Sequence, residues 1–167
     1  MTGHDDAAAR STALLDGARY LTLATTGDDG PWASTVNFVA LRGPLRLVWY
    51  SSRSARHSRN IAAHPVVAAS MFMTGLPGFG LDGAQLVGRC TALEDVTERF
   101  RRRFYELDFP DEEVRDSVAL PLAEFTGDGH RRFYVLEVRQ WWLLDVARWL
   151  ADKEDTRFEL PNAPDLR

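Results

Sequence analysis

Three apolar stretches near the start of the chain are joined by turns too short for anything but antiparallel neighbours. Tyr20–Thr25 alternates in polarity, Trp32–Leu41 follows as a second strand, and Leu45–Tyr50 is a nearly continuous apolar run. Between them lie Gly27-Asp28-Asp29-Gly30-Pro31 and Arg42-Gly43-Pro44. Alternation buries one face of a strand, and Gly and Pro supply the backbone angles of tight turns. A parallel crossover needs a dozen or more residues, so these three strands are expected to form an antiparallel meander. The first turn resembles a calcium loop only in its acidic pair, because the later acidic ligands are missing.

The rest of the chain extends the pattern. Val66–Met73 and Ala84–Leu93 read as a fourth and a fifth strand, and Arg132–Val138 and Trp141–Leu144 as late ones. Helices are expected from an Asp5 or Asp6 cap through Ala18, over Ser54–Ala63 up to the His64-Pro65 stop, from an Asp95 or Thr97 cap through Leu107, and over Asp111–Ala123. The 167 residues suit one ordinary domain. Strands interrupted by helices predict a mainly β, antiparallel barrel with flanking α-helices across residues 1–167. It would carry an N-terminal helix over 1–18 and a loose or partner-clasping tail over 152–167.

One segment has the chemistry of an anion site. The strand Leu45–Tyr50 ends in Ser51-Ser52, and Arg53, Arg56 and Arg59 cluster where a helix should begin. Hydroxyls and free amides donate hydrogen bonds, a helix N-terminus adds partial positive charge, and Arg supplies a fork. The same residue types also make an ordinary capped surface helix. His57 suits three roles: a donor to phosphate, a metal ligand or a helix cap. The chain as a whole carries a net charge of −4, which argues against a nucleic-acid binder. A basic cluster in an acidic chain fits a small anionic ligand.

Other features are plain. Cys90 is the only cysteine, so no internal disulfide forms, a cytoplasmic location is expected, and the thiol reads as a small buried side chain. No apolar stretch approaches membrane-spanning length. His64 before a proline reads as structural. His4 and His130 are isolated, no spacing resembles a zinc site, and no metal is expected. Arg101, Arg102 and Arg103 read as solvated or paired with Glu98 and Glu106. The glycines of Thr74–Gly80 do not open a helix after a strand, so no dinucleotide loop is read there. No nucleophile elbow is present, which is consistent with a cofactor carrying the chemistry.

Several pieces, taken in order, resemble the split-barrel flavin family that includes pyridoxamine 5′-phosphate oxidase. They are Tyr20-Leu21-Thr22-Leu23-Ala24-Thr25, Gly30-Pro31-Trp32-Ala33-Ser34-Thr35-Val36, Trp49-Tyr50-Ser51-Ser52, Ser54 to Ile61, His64-Pro65-Val66-Val67-Ala68 and Gln85-Leu86-Val87-Gly88. The resemblance covers roughly Ala18 to Leu144. It implies an FMN ring along Ser34, Thr35, Val36 and Asn37, and an FMN phosphate at Tyr50, Ser51, Arg56 and His57. It also implies a flavin contact from Gln85 and a covering aromatic, Trp141 or Trp142, from a second subunit. The oxidase has arginine and lysine where this chain has Ser34 and His57. It presents a lysine to the substrate phosphate where this chain has Val39.

These readings lead to an expected FMN-dependent oxidoreductase, a homodimer acting on a small organic molecule other than pyridoxamine phosphate. An apolar substrate pocket is expected from Phe38, Trp49, Phe72 or Trp142. The same fold with deazaflavin F420 or haem, or a non-catalytic flavin-binding or sensor protein, stands as the alternative. No acid–base residue is identified.

Overall fold

The structure is a computed structural model that describes residues 3–78 and 80–161. Helix α1 (Gly3–Gly17) leads into β1 (Tyr20–Gly27), β2 (Gly30–Asn37), β3 (Val39–Leu41) and β4 (Arg46–Ser52). Helix α2 (Arg56–Ala63) and β5 (Val66–Thr74) follow, then β6 (Leu81–Ala92), α3 (Glu98–Asp108) and α4 (Glu112–Val118). The chain ends in β7 (Arg131–Leu144), α5 (Val146–Asp152) and β8 (Arg157–Glu159).

The pairings in the sheet are antiparallel and run β2-β1-β5-β6-β7-β4-β3, with β8 added to β7. The first and last strands of that path are consecutive in the chain, separated by Phe38 alone. The sheet therefore curls so that its two end strands join at Phe38, which makes the barrel that the strand pattern predicts, in the split form that the resemblance implies. The expected single strand Trp32–Leu41 is bent at Phe38: its first part pairs with β1, its last with β4. The three-strand antiparallel meander is thus present with a bend in its middle strand, and β4 goes on to pair with β7 on its other side.

Alternation sorts β4 into two cores. Leu47 and Trp49 point into the barrel with Leu23, Leu86 and Trp141. Val48 points outward, into a second cluster with Phe104, Tyr105, Phe125 and Phe133 under α3. Helix α1 is tied down by Arg10, which donates to both carboxylate oxygens of Asp82 at 2.8 Å and to the Leu144 carbonyl at 2.7 Å. Helix α2 joins β4 to β5 and packs against β1, β2 and β6.

Local differences have local causes. Helix α1 starts at Gly3, so Asp5 and Asp6 lie inside it rather than capping it. Thr97, not Asp95, caps α3, its side chain accepting from the Phe100 amide at 3.2 Å. The helical piece expected over Asp111–Ala123 is α4 followed by a 3-10 turn, Leu122–Phe125, with Pro121 between them. The two late strands are one, with a bulge where the register shifts between Val87 and Gly88. The expected tail begins inside α5 and pairs through Arg157–Glu159 with Trp142–Leu144, while residues 162–167 lie outside the described part. Cys90 is fully buried, and burial pushes its thiol up to about 12. Arg101 donates to Glu98 from two nitrogens, at 2.9 and 2.5 Å. No helix among the described residues is long and apolar enough to cross a membrane.

Candidate functional site

The outward face of β1, β5, β6 and β7 carries a groove of about 560 Å³. Its floor is made of small side chains, Thr22, Ala24, Ala68 and Ser70, with Gln85, Val87 and Trp142 beside them. Gln85 and Trp142 are directly paired across β6 and β7. A second hollow of about 550 Å³ shares Thr22 and Ser70 and continues toward Tyr20, Thr35 and Phe72. Small residues on two adjacent strands, β1 and β5, leave a flat, shallow bed, and aromatic residues rise at its margins.

Strand β2 forms one end of the sheet path, so its far edge has no strand partner among the described residues. Thr35 lies opposite Thr22 on the groove face. Ser34 and Val36 lie opposite Leu23 and Leu21, both buried in the barrel core, and Val36 is buried with them. Asn37 is held away from the bed. Its Nδ2 donates to both oxygens of Asp108, at 2.7 and 2.9 Å. Burial raises the pKa of Asp108, while Asn37 and Arg19 oppose that rise.

The anion-site segment has a definite geometry. Ser52 Oγ lies 2.9 Å from Ser54 Oγ and accepts from the Ser54 amide at 3.3 Å. This closes the turn, and it leaves α2 without a side-chain cap: the N-cap is Ala55, and the first turn has no acidic residue. The ordinary reading of these serines as helix caps is therefore corrected. Arg56 Nη2 donates to the Asp29 carbonyl at 2.9 Å, and its guanidinium lies 4.5 Å from the Trp32 ring centroid. It thus sits where α2 meets the β1–β2 turn. His57 Nε2 is buried without a hydrogen-bond partner, and burial lowers the ring's pKa. Tyr50 sits among Phe104, Tyr105, Phe125 and Phe133 under α3.

The structure thus gathers the expected residues into two places. Thr35, Gln85 and Trp142 share the groove face, and Arg56 and His57 stand in the first turn of α2, after the β4 end that carries Ser51. Ser34, Val36, Asn37 and Tyr50 present their side chains elsewhere. Other expectations are corrected outright. Phe38 and Trp49 are core residues, so of the expected substrate-pocket aromatics only Phe72 and Trp142 reach the groove. Val39 is buried in the second core cluster with Val48 and Val135. Trp141 is fully buried and donates to Ser11 Oγ at 3.0 Å, which makes it core rather than cover. Sequence reading missed the small-residue bed of Thr22, Ala24, Ala68 and Ser70; its signal was small residues at alternate positions of two strands.

A flat bed on the outer face of a curled antiparallel half-barrel with flanking helices defines the split-barrel class. The sequence profile of pyridoxamine 5′-phosphate oxidase matches residues 8–145, and the chain belongs to that family. No curated protein matches the sequence. Solved structures share the fold. A haem-binding protein from Mycobacterium smegmatis is 16% identical, with a TM-score of 0.65 over 96% of this chain and 60% of its own. General stress protein 26 from Bacillus anthracis is 15% identical, with a TM-score of 0.61 over 92% of this chain and 98% of its own. An FAD-binding protein from Mesorhizobium loti is 17% identical, with a TM-score of 0.58 over 80% of this chain and 90% of its own.

Proposed function

We propose that the protein is a homodimeric flavin-dependent oxidoreductase that holds FMN on the outer face of the barrel. The observation that carries this reading is the bed of Thr22, Ala24, Ala68 and Ser70, flanked by Gln85 and Trp142. A floor of small side chains admits a planar ring, and an edge amide and an indole orient it. The unpaired edge of β2 offers backbone donors and acceptors to the polar rim of such a ring. From Trp32, beside Arg56, to Thr35 is three residues, about 10 Å along a strand, a span that suits a ribityl chain.

At the other end, Arg56 retains N–H donors beyond the one given to Asp29. The uncapped start of α2 and the Ser51 hydroxyl add to it. Burial lowers the pKa of His57, so the ring is suited to give the phosphate a hydrogen bond rather than a charge. The phosphate lobe therefore rests mainly on one guanidinium, with Arg53 and Arg59 nearby in sequence. Bound flavin would supply hydride transfer at its N5; the chain orients it and shields one face from water.

The second subunit is called for by the face itself. Tyr20, Val66 and Phe72 are 59%, 58% and 67% exposed, and a large exposed apolar face marks an interaction site. The haem-binding neighbour keeps haem as an alternative cofactor, and F420 is another. Among the described residues, neither half of the groove is lined by a histidine, which favours flavin over an axially ligated haem. The absorbance spectrum of the purified protein tests the reading. Flavin bands near the blue support it, a Soret band or the blue fluorescence of a deazaflavin overturns it. Flavin that stays oxidised with every candidate reductant assigns a sensor role instead. Pyridoxamine phosphate is not the substrate in this reading, since Val39 and its buried neighbours offer no cation to a substrate phosphate. Turnover of that compound at about 1 per second or faster, an ordinary enzyme rate, overturns this point.

A further inference from the structure

We propose that the cleft on the other side of α2 from Arg56 is a separate binding site for a small phosphorylated molecule. The cleft is about 440 Å³ and lies between α2, the end of β6 and the start of β7. Arg56 belongs to the opposite side, where α2 meets Asp29 and Trp32. The proposal therefore stands apart from the flavin reading.

The lining is strongly and locally positive. Arg53, Arg59, Arg89 and Arg132 all contribute, against one acid, Glu94. In a chain whose net charge is −4, such a concentration needs a reason. Arg53, Arg59 and Arg89 are exposed, and none has a carboxylate partner among the described residues. Arg59 donates only to the Ser54 carbonyl. Four guanidinium groups against the single acid Glu94 leave the cleft with an excess of positive charge, which a bound dianion offsets.

The floor is built rather than incidental. Arg132 is 5% exposed, and its Nη1 donates to the carbonyls of Gly129 at 3.0 Å and Arg131 at 2.7 Å. Its Nη2 donates to the Gly127 carbonyl. The guanidinium is thereby fixed in place, with Nε 3.6 Å from Glu94. Beside it in the lining is Ser58, 3% exposed, whose Oγ is buried and makes no hydrogen bond of good geometry. The hydroxyl of Tyr134 is its polar neighbour. Ser58 and Tyr134 thus set two neighbouring hydroxyls at the foot of the arginine cleft, where either can turn toward a bound oxyanion.

The remaining wall is apolar: Ile61, Ala62, Pro65 and Ala92. A cleft of this size with a cationic rim and an apolar wall fits a compact organic body bearing a phosphate. Planar forks suit phosphate oxygens, and a dianion offsets more of the positive charge than a single carboxylate does.

The test is a titration of ¹⁵N-labelled protein with phenyl phosphate, inorganic phosphate and benzoate. Saturable shifts of the Ser58, Ile61, Ala62, Arg89, Thr91 and Tyr134 amides, tighter with phenyl phosphate than with inorganic phosphate, support the site. Arg53→Ala, an exposed change, should weaken phenyl phosphate about ten- to a hundredfold. Arg103→Ala on α3 should leave its affinity unchanged. Shifts confined to Asp29, Trp32 and the first turn of α2 would place the anion on the Arg56 side and overturn the proposal. So would equal losses in the two variants, or no saturation at millimolar probe. Benzoate binding as tightly as phenyl phosphate overturns the assignment to phosphate.

Discussion

Arg56 is the residue on which the proposed phosphate site most depends. Its contacts with the Asp29 carbonyl and the Trp32 ring aim it at the β1–β2 turn before any cofactor arrives. Removing a charge-assisted fork costs about 1.5–3 kcal/mol, roughly ten- to a hundredfold in affinity. Arg56→Ala should therefore lose that much FMN affinity by equilibrium titration, while circular dichroism stays unchanged. Unaltered affinity places the phosphate elsewhere. His57 carries a pH signature. Burial depresses its folded pKa below the ordinary histidine value. A depressed pKa means that the folded state binds the proton less readily than the unfolded chain. Its contribution to stability is then present above the unfolded pKa and is lost as pH falls through the folded one. Urea unfolding at pH 7 and at pH 5 should show a larger acid loss for the native chain than for His57→Gln. Equal losses in the two proteins exclude this role.

At the scale of elements, the β6–β7 ladder borders the groove and carries the Gln85–Trp142 pair. Its bulge falls at Gly88. A Cβ there would stand 2.2 Å from the Glu137 carbonyl oxygen and 2.8 Å from Leu136 Cδ1. The backbone oxygen cannot turn aside as a side chain would. Gly88→Ala should therefore destabilise by at least the 1–3 kcal/mol, roughly, of an overpacked core. Thermal unfolding would read this as a drop of several degrees. The same change should disturb the Gln85–Trp142 pair nearby on the two strands. A melting temperature within a degree of the parent shows that the ladder absorbs the extra carbon.

Across the whole molecule, the exposed face of β1 and β5 is where the proposed dimer contact lies. Tyr20, Val66 and Phe72 lie on it, and the groove shares its edge. Phe72→Glu places a charge in an apolar contact without touching either core. Light scattering at micromolar protein should show a dimer for the parent and a monomer for the variant. Cofactor affinity should fall with dimerisation if the second copy covers the ring. A monomeric parent removes the homodimer from the proposed function.

Much of this architecture was legible in the chain. Alternation in Tyr20–Thr25, the apolar run before Ser51 and the glycine-marked turns specify antiparallel strands, because period-two patterning and turn chemistry act over a few residues. The basic cluster was legible for the same reason: Arg53, Arg56 and Arg59 are neighbours in sequence. What the sequence left open was direction. Arg56 and Arg59 lie three residues apart on α2, yet one meets Trp32 and the other lines the cleft beside Arg89. Trp141 and Trp142 are adjacent, yet one is core and the other groove. Strand periodicity says that neighbours face opposite sides; which side is the core depends on how the sheet curls. That curl is set by β2 and β3 meeting across Phe38 at the two ends of the sheet. Local patterns determined the strands and the chemistry of this protein; long-range closure of the barrel decided which side chains share a site.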